Sequence, residues 1–406
     1  MKTKDYISTS LGKLASIIRL EIYSIFRDEG VLLIMLLAPI IYATIYSSVY
    51  GSEVLRDVPV GVIDMSKTSS SRKLVTMLDM GPNTHVAYEP GDMSEAKELL
   101  FSRKIHGIIY IPANYAHNIA ESKSSAISIY LDASYMLFYR QVFQEIAAIV
   151  SKLNYDIAVN RLMSLGENSI PPQSIASPIV YQSHALFNPY LGYGTFVMPP
   201  VLMLILQQTL FIGICMIGGT WRERESSARG VLQREAWGNP LLVITGKAIT
   251  YASLYSIIIF YLLHIHYRIF HYPMIGSASL LAIFIGLYIL TVIFLGIALS
   301  ALFQRRETPL MVMLWTSIPL LMLSGISFPH EAMPTWLRYL ANIFPSTFAT
   351  QGFVKIATEG ASIREVMPEI KPLILLCVIY FFLAYYALRH KATKQSLTST
   401  NSQPQP

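Results

Sequence analysis

Residues 31–50 (VLLIMLLAPIIYATIYSSVY) run for twenty positions without a charged side chain. Wound as a helix rising about 1.5 Å per residue, such a run crosses roughly 30 Å of hydrocarbon. A cleaved leader is the competing reading. It does not fit, because some thirty residues precede the run and it exceeds the ~7–15 apolar residues of a leader core. Similar stretches follow at 193–219, 241–264, 277–302, 310–328 and 371–388. Only 14% of the 406 residues are charged, against about 25% in soluble domains. The chain therefore reads as an α-helical polytopic membrane protein with six transmembrane helices.

Basic residues are spread along the chain, so the net charge of +6 speaks for topology and against a nucleic-acid partner. Lys2, Lys4, Lys13, Arg19 and Arg27 precede the first span. Arg222, Arg224, Arg229 and Arg234 follow the second, Arg305 and Arg306 lie between the fourth and fifth, and Arg389, Lys391 and Lys394 follow the sixth. Short connections rich in Lys and Arg stay in the cytoplasm, so both termini are expected there, in a cell or inner membrane. The resulting division is a cytoplasmic arm with an interfacial helix (1–30), a first span (31–50), an extracytoplasmic domain (51–192), spans two to six (193–388) and a tail expected to be disordered (389–406).

About 140 residues between the first two spans are too many for a structureless loop. A strand is expected at 58–64, a helix at 70–80 and a second helix behind Asp92-x-x-Glu95, which has the form of a capping box. Short apolar strands are expected at 106–111 and 126–131, so the insertion reads as an α/β domain. Beyond them Val142, Phe143, Ile146, Ile149, Val150, Leu153 and Ile157 fall at helical spacing. That helix could run back to the membrane, pair with a copy of itself, or pack on its own domain.

Ion-coupled carriers keep ionisable groups within the bilayer, and here the span centres hold almost none. Lys247, His264 and His266 sit near span ends, and Gln207-Gln208 is the most polar pair of the second span. No G-x-x-x-x-G-K-[ST] phosphate loop occurs; Gly12-Lys13 and Gly246-Lys247 lack the rest of the pattern. The chain is not expected to bind ATP or to be an enzyme itself, and any driving ATPase must be a separate polypeptide. Residues 10–28, with Leu11, Leu14, Ile17, Ile18 and Ile25 on one side, form an amphipathic segment suited to the membrane interface. That segment and the charged loop 222–235 are surfaces for a partner or, more simply, topology signals. His264, His266 and His271 read as interfacial residues rather than metal ligands. Ser324 and Ser327 lack a general base, and Cys215 and Cys377 read as packing residues, so no catalytic, cofactor or metal site is expected.

The motifs then converge on a family. Residues 55–64 (LRDVPVGVID), Ser71-Arg72, 105–112 (IHGIIYIP), 130–134 (YLDAS), Met198-Pro199-Pro200 with Gln207-Gln208, Gly246-Lys247, 323–329 (LSGISFP), Met333-Pro334, Trp336 and Phe344-Pro345-Ser346-Thr347 stand in order. In that order and spacing the chain resembles the ABC-2 type permeases, specifically exporter subunits with a large extracytoplasmic domain between the first two spans. The resemblance implies an export permease for a hydrophobic small molecule, lipid or peptide. It implies two cytoplasmic ABC ATPase subunits that carry the ATP and Mg, a second permease copy or a sibling permease, and a surrounding lipid bilayer. A periplasmic membrane-fusion adaptor joins these partners where the cell has an outer membrane. By the same analogy Arg27, Asp28, Arg222, Glu223, Arg224 and Glu225 face the ATPase, and Gln207, Gln208 and Ser324 line the translocation path. Residues 327–353, with Pro329, Pro334 and Pro345, resemble outer re-entrant or interfacial helices. Family members often carry Arg-Asp-Pro before the first span; Glu29 replaces that proline here, which leaves the place of the helix break open. The alternative function is a non-transporting scaffold or receptor whose outer domain binds a protein.

Overall fold

The computed structural model describes residues 2–164, 185–189, 191–223, 239–303 and 305–400, without the side chains of 2–10, 222 and 391–400. The chain divides into two compact units, one made of Met1–Glu53 with Ala185–Pro406 and the other of Val54–His184. Helix α1 (Lys2–Arg27) is followed directly by α2 (Glu29–Val49). Inside α2, residues Leu33–Leu37 form a π-helical turn ahead of Pro39. Proline has no N–H for the helical ladder and its ring crowds the carbonyl four residues back, here that of Met35, so a locally wider turn is the relaxed solution.

The Val54–His184 unit holds a four-stranded sheet in the order β2-β1-β3-β4. Strand β1 (Val58–Asp64) is followed by α3 (Ser69–Asp79), β2 (Thr84–Tyr88), α4 (Met93–Phe101), β3 (Gly107–Ile111), α5 (Tyr115–Ala120), β4 (Ser128–Leu131) and α6 (Met136–Ser164). Strand β1 is parallel to both β2 and β3, and β4 closes antiparallel on β3. Both faces of the central pair are buried, which is why VPVGVID and GIIYI are nearly continuous apolar runs. One face carries Val60, Val62, Ile109 and Ile111 against α3 and α6, and the other carries Ile63 and Ile108 with Ala96 of α4. Val142, Ile146, Ile149 and Leu153 of α6 lie in the first of these cores, while Phe143 is exposed.

Helix α3 starts as its hydroxyl run suggests. Thr68 Oγ1 accepts the Ser71 N–H (3.3 Å), Ser71 Oγ accepts the Thr68 N–H (2.9 Å), and the Ser71 hydroxyl donates to Asp64 Oδ2 (2.7 Å). At α4 Asp92 Oδ1 accepts from Glu95 N (2.8 Å), but the reciprocal bond to Glu95 comes from Gly91 N (2.8 Å) rather than from the cap residue itself.

In the other unit α7 (Tyr193–Glu223), α8 (Pro240–Ile269) and α9 (Ala278–Ser300) are followed by α10 (Thr308–Leu323), α11 (Thr335–Ala341), α12 (Pro345–Ala357) and α13 (Met367–Thr400). Among the described residues five helices are long and apolar enough to cross a membrane, in α2, α7, α8, α9 and α13. The stretch expected at 310–328 gives only the 16 residues of α10, about 24 Å of helix. It ends at Ser324 before Gly325, whose φ of +85° and close approach to the His330 ring admit no side chain. The prolines that follow start the short pieces of 327–353. Pro334 immediately precedes α11, and Pro345 opens α12 at the position where its missing N–H is harmless. The tail does not become irregular at 389, because α13 continues to Thr400.

Helix α9 sits at the centre, packed on α7, α8, α12 and α13. Its Tyr288 hydroxyl donates to Met203 O of α7 (2.6 Å), and Tyr255 of α8 donates to Thr209 Oγ1 (2.9 Å). Ser71→Ala removes the capping bond that Ser71 Oγ accepts from Thr68 N–H and the link to Asp64. It is expected to destabilise the Val54–His184 unit by about 1–2 kcal/mol, read as the denaturant dependence of proteolysis within that unit of the intact chain.

Candidate functional site

A cavity of about 1000 Å³ opens between α2, α7 and the α10 region. On α2 the wall is Ile34, Ala38, Tyr42, Tyr46 and Tyr50, so the wide turn begins a stripe that continues at four-residue spacing. Helix α7 adds Tyr193, Phe196, Val201, Leu204, Gln208 and Thr209, and α10 adds Met313, Leu314, Ser317, Ile318 and Leu321. Tyr50 meets Tyr193 edge to face at 5.1 Å. Pro199 and Pro200 lie inside α7 between the lining residues Val197 and Val201, and their missing N–H groups weaken the ladder there. No Asp, Glu, Lys, Arg or His is among the lining residues. A cation in this space would find aromatic faces, worth ~0.5–2 kcal/mol, against an effective desolvation penalty of several kcal/mol. The space therefore suits uncharged, largely apolar matter.

The two glutamines expected along the path do different things. Gln207 is buried and doubly engaged: its Oε1 accepts the Ser346 N–H (2.9 Å) and its Nε2 donates to Ser346 Oγ (3.1 Å). It thereby closes the N-terminus of α12 onto α7. Gln208 is among the lining residues, but its Oε1 and Nε2 are both shielded and have no partner among the described residues. Ser324 is not on the cavity wall. Its hydroxyl donates to Leu321 O (2.7 Å), and its carbonyl accepts from Thr350 Oγ1 (3.1 Å).

Three acidic side chains set the helices around this space. Glu53 closes the start of α7, its carboxylate accepting from Thr195 N (3.0 Å) and Thr195 Oγ1 (2.9 Å), a favourable place for negative charge. Glu21 joins α1 to α8. It pairs with Lys247 at 2.5 Å, and the Tyr251 hydroxyl donates to the same oxygen. Gly246 lets α1 approach, because a side chain there would overlap Ile17. Ile17, Glu21 and Ile25 share one stripe of α1 and are all buried. A lone acid in the middle of that apolar stripe was the sequence signal for this pair.

Asp28 is the third, and it decides where the chain breaks before the first span. Its backbone is extended (φ −99°, ψ 102°) and its side chain caps α2 by accepting from Val31 N (3.2 Å). The break thus falls at Asp28 and needs no proline at 29. The same Oδ1 accepts from Arg306 Nη2 (2.8 Å), while the Arg306 N–H donates to Glu223 Oε1 (2.9 Å). Arg306 thus bridges the ends of α2 and α7, a role invisible in a residue read only as a topology signal. Arg27 donates to the Tyr23 hydroxyl one turn back (2.5 Å). The Arg222 side chain is not described, and Arg224 and Glu225, with the loop to residue 235, lie outside the described residues.

Comparison with known proteins agrees with this architecture. The family model for ABC-2 family transporter proteins matches residues 30–386. The probable multidrug ABC transporter permease YbhR of Escherichia coli K12 is 23% identical over 93% of this chain and 99% of its own length. The linearmycin resistance permease LnrN of Bacillus subtilis is 22% identical over 93% of this chain and its full length (100%). The inner membrane transport permease YhhJ of E. coli K12 is 23% identical over 91% of this chain and 95% of its own.

Lys247→Met leaves Glu21 charged, buried and uncompensated, so it is expected to destabilise the membrane unit by about 3–5 kcal/mol. The double variant Glu21→Gln, Lys247→Met should recover most of that loss, as read from detergent unfolding curves.

Proposed function

The chain belongs to the ABC-2 family and is the transmembrane permease subunit of an ABC exporter; from this premise we propose that it moves an apolar small molecule out of the cytoplasm or the inner leaflet, driven by separate ATPase subunits. The single observation that carries the cargo reading is the uncharged cavity between α2, α7 and α10. Two relatives are named for multidrug transport and linearmycin resistance, and those names support a drug-like cargo over a peptide.

In this reading the ends of α1 and α13 and the Arg306 bridge face the cytoplasm, as the clustering of Arg and Lys supports. The Val54–His184 unit then lies outside, where it docks an adaptor if the cell has an outer membrane. Helix α10 and the chain just beyond it make the sixth crossing, completed by α11 and α12 at the outer side. Irregular backbone at such depth is tolerable where it is buried in protein, and the Gln207–Ser346 clamp supports that role for α12. Met311, Trp315 and Met322 of α10 are exposed and lie outside the cavity lining, an apolar face that suits a second permease copy, a sibling subunit or lipid.

ATP and Mg belong to the partner ATPases. Their closure would press on α1 and on the loop after α7, which are held to the spans at Glu21–Lys247 and at Asp28–Arg306–Glu223. Arg27, Arg222, Arg224 and Glu225 are the remaining candidates for direct contact with the ATPase. An ATPase is expected to co-purify with the tagged chain in nanodiscs. The double reversal Glu223→Arg, Glu225→Arg should lower cargo-stimulated hydrolysis about tenfold, equivalent to ~1.4 kcal/mol, or release the ATPase. Recovery of an unaffected ATPase activity would remove this coupling surface.

A further inference from the structure

Tyrosine hydroxyls join elements throughout this membrane unit. Tyr251 donates to Glu21, Tyr255 to Thr209, Tyr288 to Met203 O and Tyr380 to Ile343 O. Three further tyrosines, Tyr42, Tyr46 and Tyr50, stand at four-residue spacing on α2 and line the cavity. None of their hydroxyls has a hydrogen-bond partner among the described residues. Tyr42 and Tyr46 are 50% and 44% exposed, so they are presented to open space rather than sealed in the wall. Other polar groups of the lining are spent or shielded. Thr209 donates to Ile205 O (2.7 Å), Ser317 donates to Leu314 O (3.2 Å), and both polar atoms of the Gln208 amide are shielded.

Aromatic belts place tyrosines at the ends of membrane helices. Tyr50, just past the end of α2 and edge to face with Tyr193, fits that account. Tyr42 does not. It lies seven residues before Val49, about 10 Å along the helix. Side chains on a helix also lean toward its N-terminus, here away from that nearer end. Hydrocarbon offers a hydroxyl no partner at such depth, and leaving it unpaired costs free energy. A molecule in the cavity can supply the partner.

We propose that Tyr42 and Tyr46 form a recognition pair for the cargo, whose uncharged, apolar frame carries two acceptor oxygens about 6 Å apart, the rise of four helical residues, one for each hydroxyl. This rests on the cargo reading of the cavity. The aromatic and aliphatic walls hold the frame, and the hydroxyls select the oxygens, because a site built to hydrogen-bond a polar group discriminates against the analogue that lacks it. Phenylalanine at either position removes only the selecting hydroxyl. Since that hydroxyl bonds nothing within the protein, the substitution should leave thermal stability unchanged.

The test is equilibrium binding to the purified full-length chain in nanodiscs. Three fluorescent probes share one aromatic core and bear a diketone with its oxygens about 6 Å apart, a monoketone or an isosteric hydrocarbon. The wild type should bind the diketone about tenfold tighter than the hydrocarbon, a difference of ~1.4 kcal/mol, with the monoketone between them. Tyr42→Phe and Tyr46→Phe should each bring the diketone down to the monoketone's affinity. The double variant should erase the preference while hydrocarbon binding persists.

Ser317→Trp, which fills the cavity, should displace all three probes, and Ile318→Trp serves if that variant does not fold. If the filled cavity loses the probes but the diketone preference survives the double variant, the assignment to Tyr42 and Tyr46 is wrong and the cavity stands. Equal wild-type affinity for diketone and hydrocarbon overturns the inference alone. A loss of thermal stability in Tyr42→Phe does the same, because it would place that hydroxyl in a bond within the protein. If the filled cavity keeps the probes, or the wild type binds none of them, the cavity reading falls and this inference falls with it.

Discussion

Inside hydrocarbon a polar atom has only the protein to bond to, and the arrangement of this membrane unit follows from where its few polar side chains find partners. Apolar contact between helices gives little preference there, because lipid tails are as apolar as leucine. Close packing and paired polar groups therefore carry the specificity. Glu21 holds the amphipathic α1 to α8 through Lys247 and Tyr251, Glu53 fixes the start of α7, and Gln207 draws the short α12 in among the long helices. Each of these links joins segments far apart in the chain. Lys355 of α12 and Glu369 of α13, at 2.6 Å, repeat the device on a neighbouring pair.

With α7, α9, α12 and α13 drawn together in this way, the cavity forms on the remaining side of α7, against α2 and α10. Local backbone chemistry shapes its walls. The wide turn before Pro39 supplies the lining residue Ile34, and the paired prolines of α7 fall between the lining residues Val197 and Val201. A permease needs a space that an apolar molecule can enter without meeting fixed charge. Here no acid, lysine, arginine or histidine is among the lining residues, and Glu21, Asp28 and Glu53 are instead bonded at helix junctions.

Much of the architecture was legible because it follows from local rules. The charge-free runs became helices with ends within a few residues of expectation, apart from α13, which runs on to Thr400, and α10, whose length is cut by Gly325 and the prolines beyond it. The continuous apolar runs at 58–64 and 107–111 announced buried strands, and the hydroxyls of Thr68 and Ser71 announced the start of α3. Strand β2 was missed. It is an edge strand whose THVAY sequence is half exposed and carries little apolar pattern. Helix continuation through Thr400 was missed for the opposite reason, since polar composition says little about backbone geometry.

Of the residues expected to face the ATPase, Asp28 and Glu223 lie at helix ends and are joined by Arg306, which was not among the candidates because its partners lie some 80 and 280 positions away in the chain. Likewise nothing local separates Gln207 from Gln208. Composition and periodicity determined by themselves that this chain spans a membrane, which segments are helical, and that an α/β insertion interrupts them, since hydrophobic burial and hydrogen bonding within a segment depend on that segment alone. Which of two adjacent glutamines bonds within the protein and which lines a cavity, and which acid meets which base, was decided only by tertiary structure, because a polar side chain's partner is set by the helices that come to lie beside it.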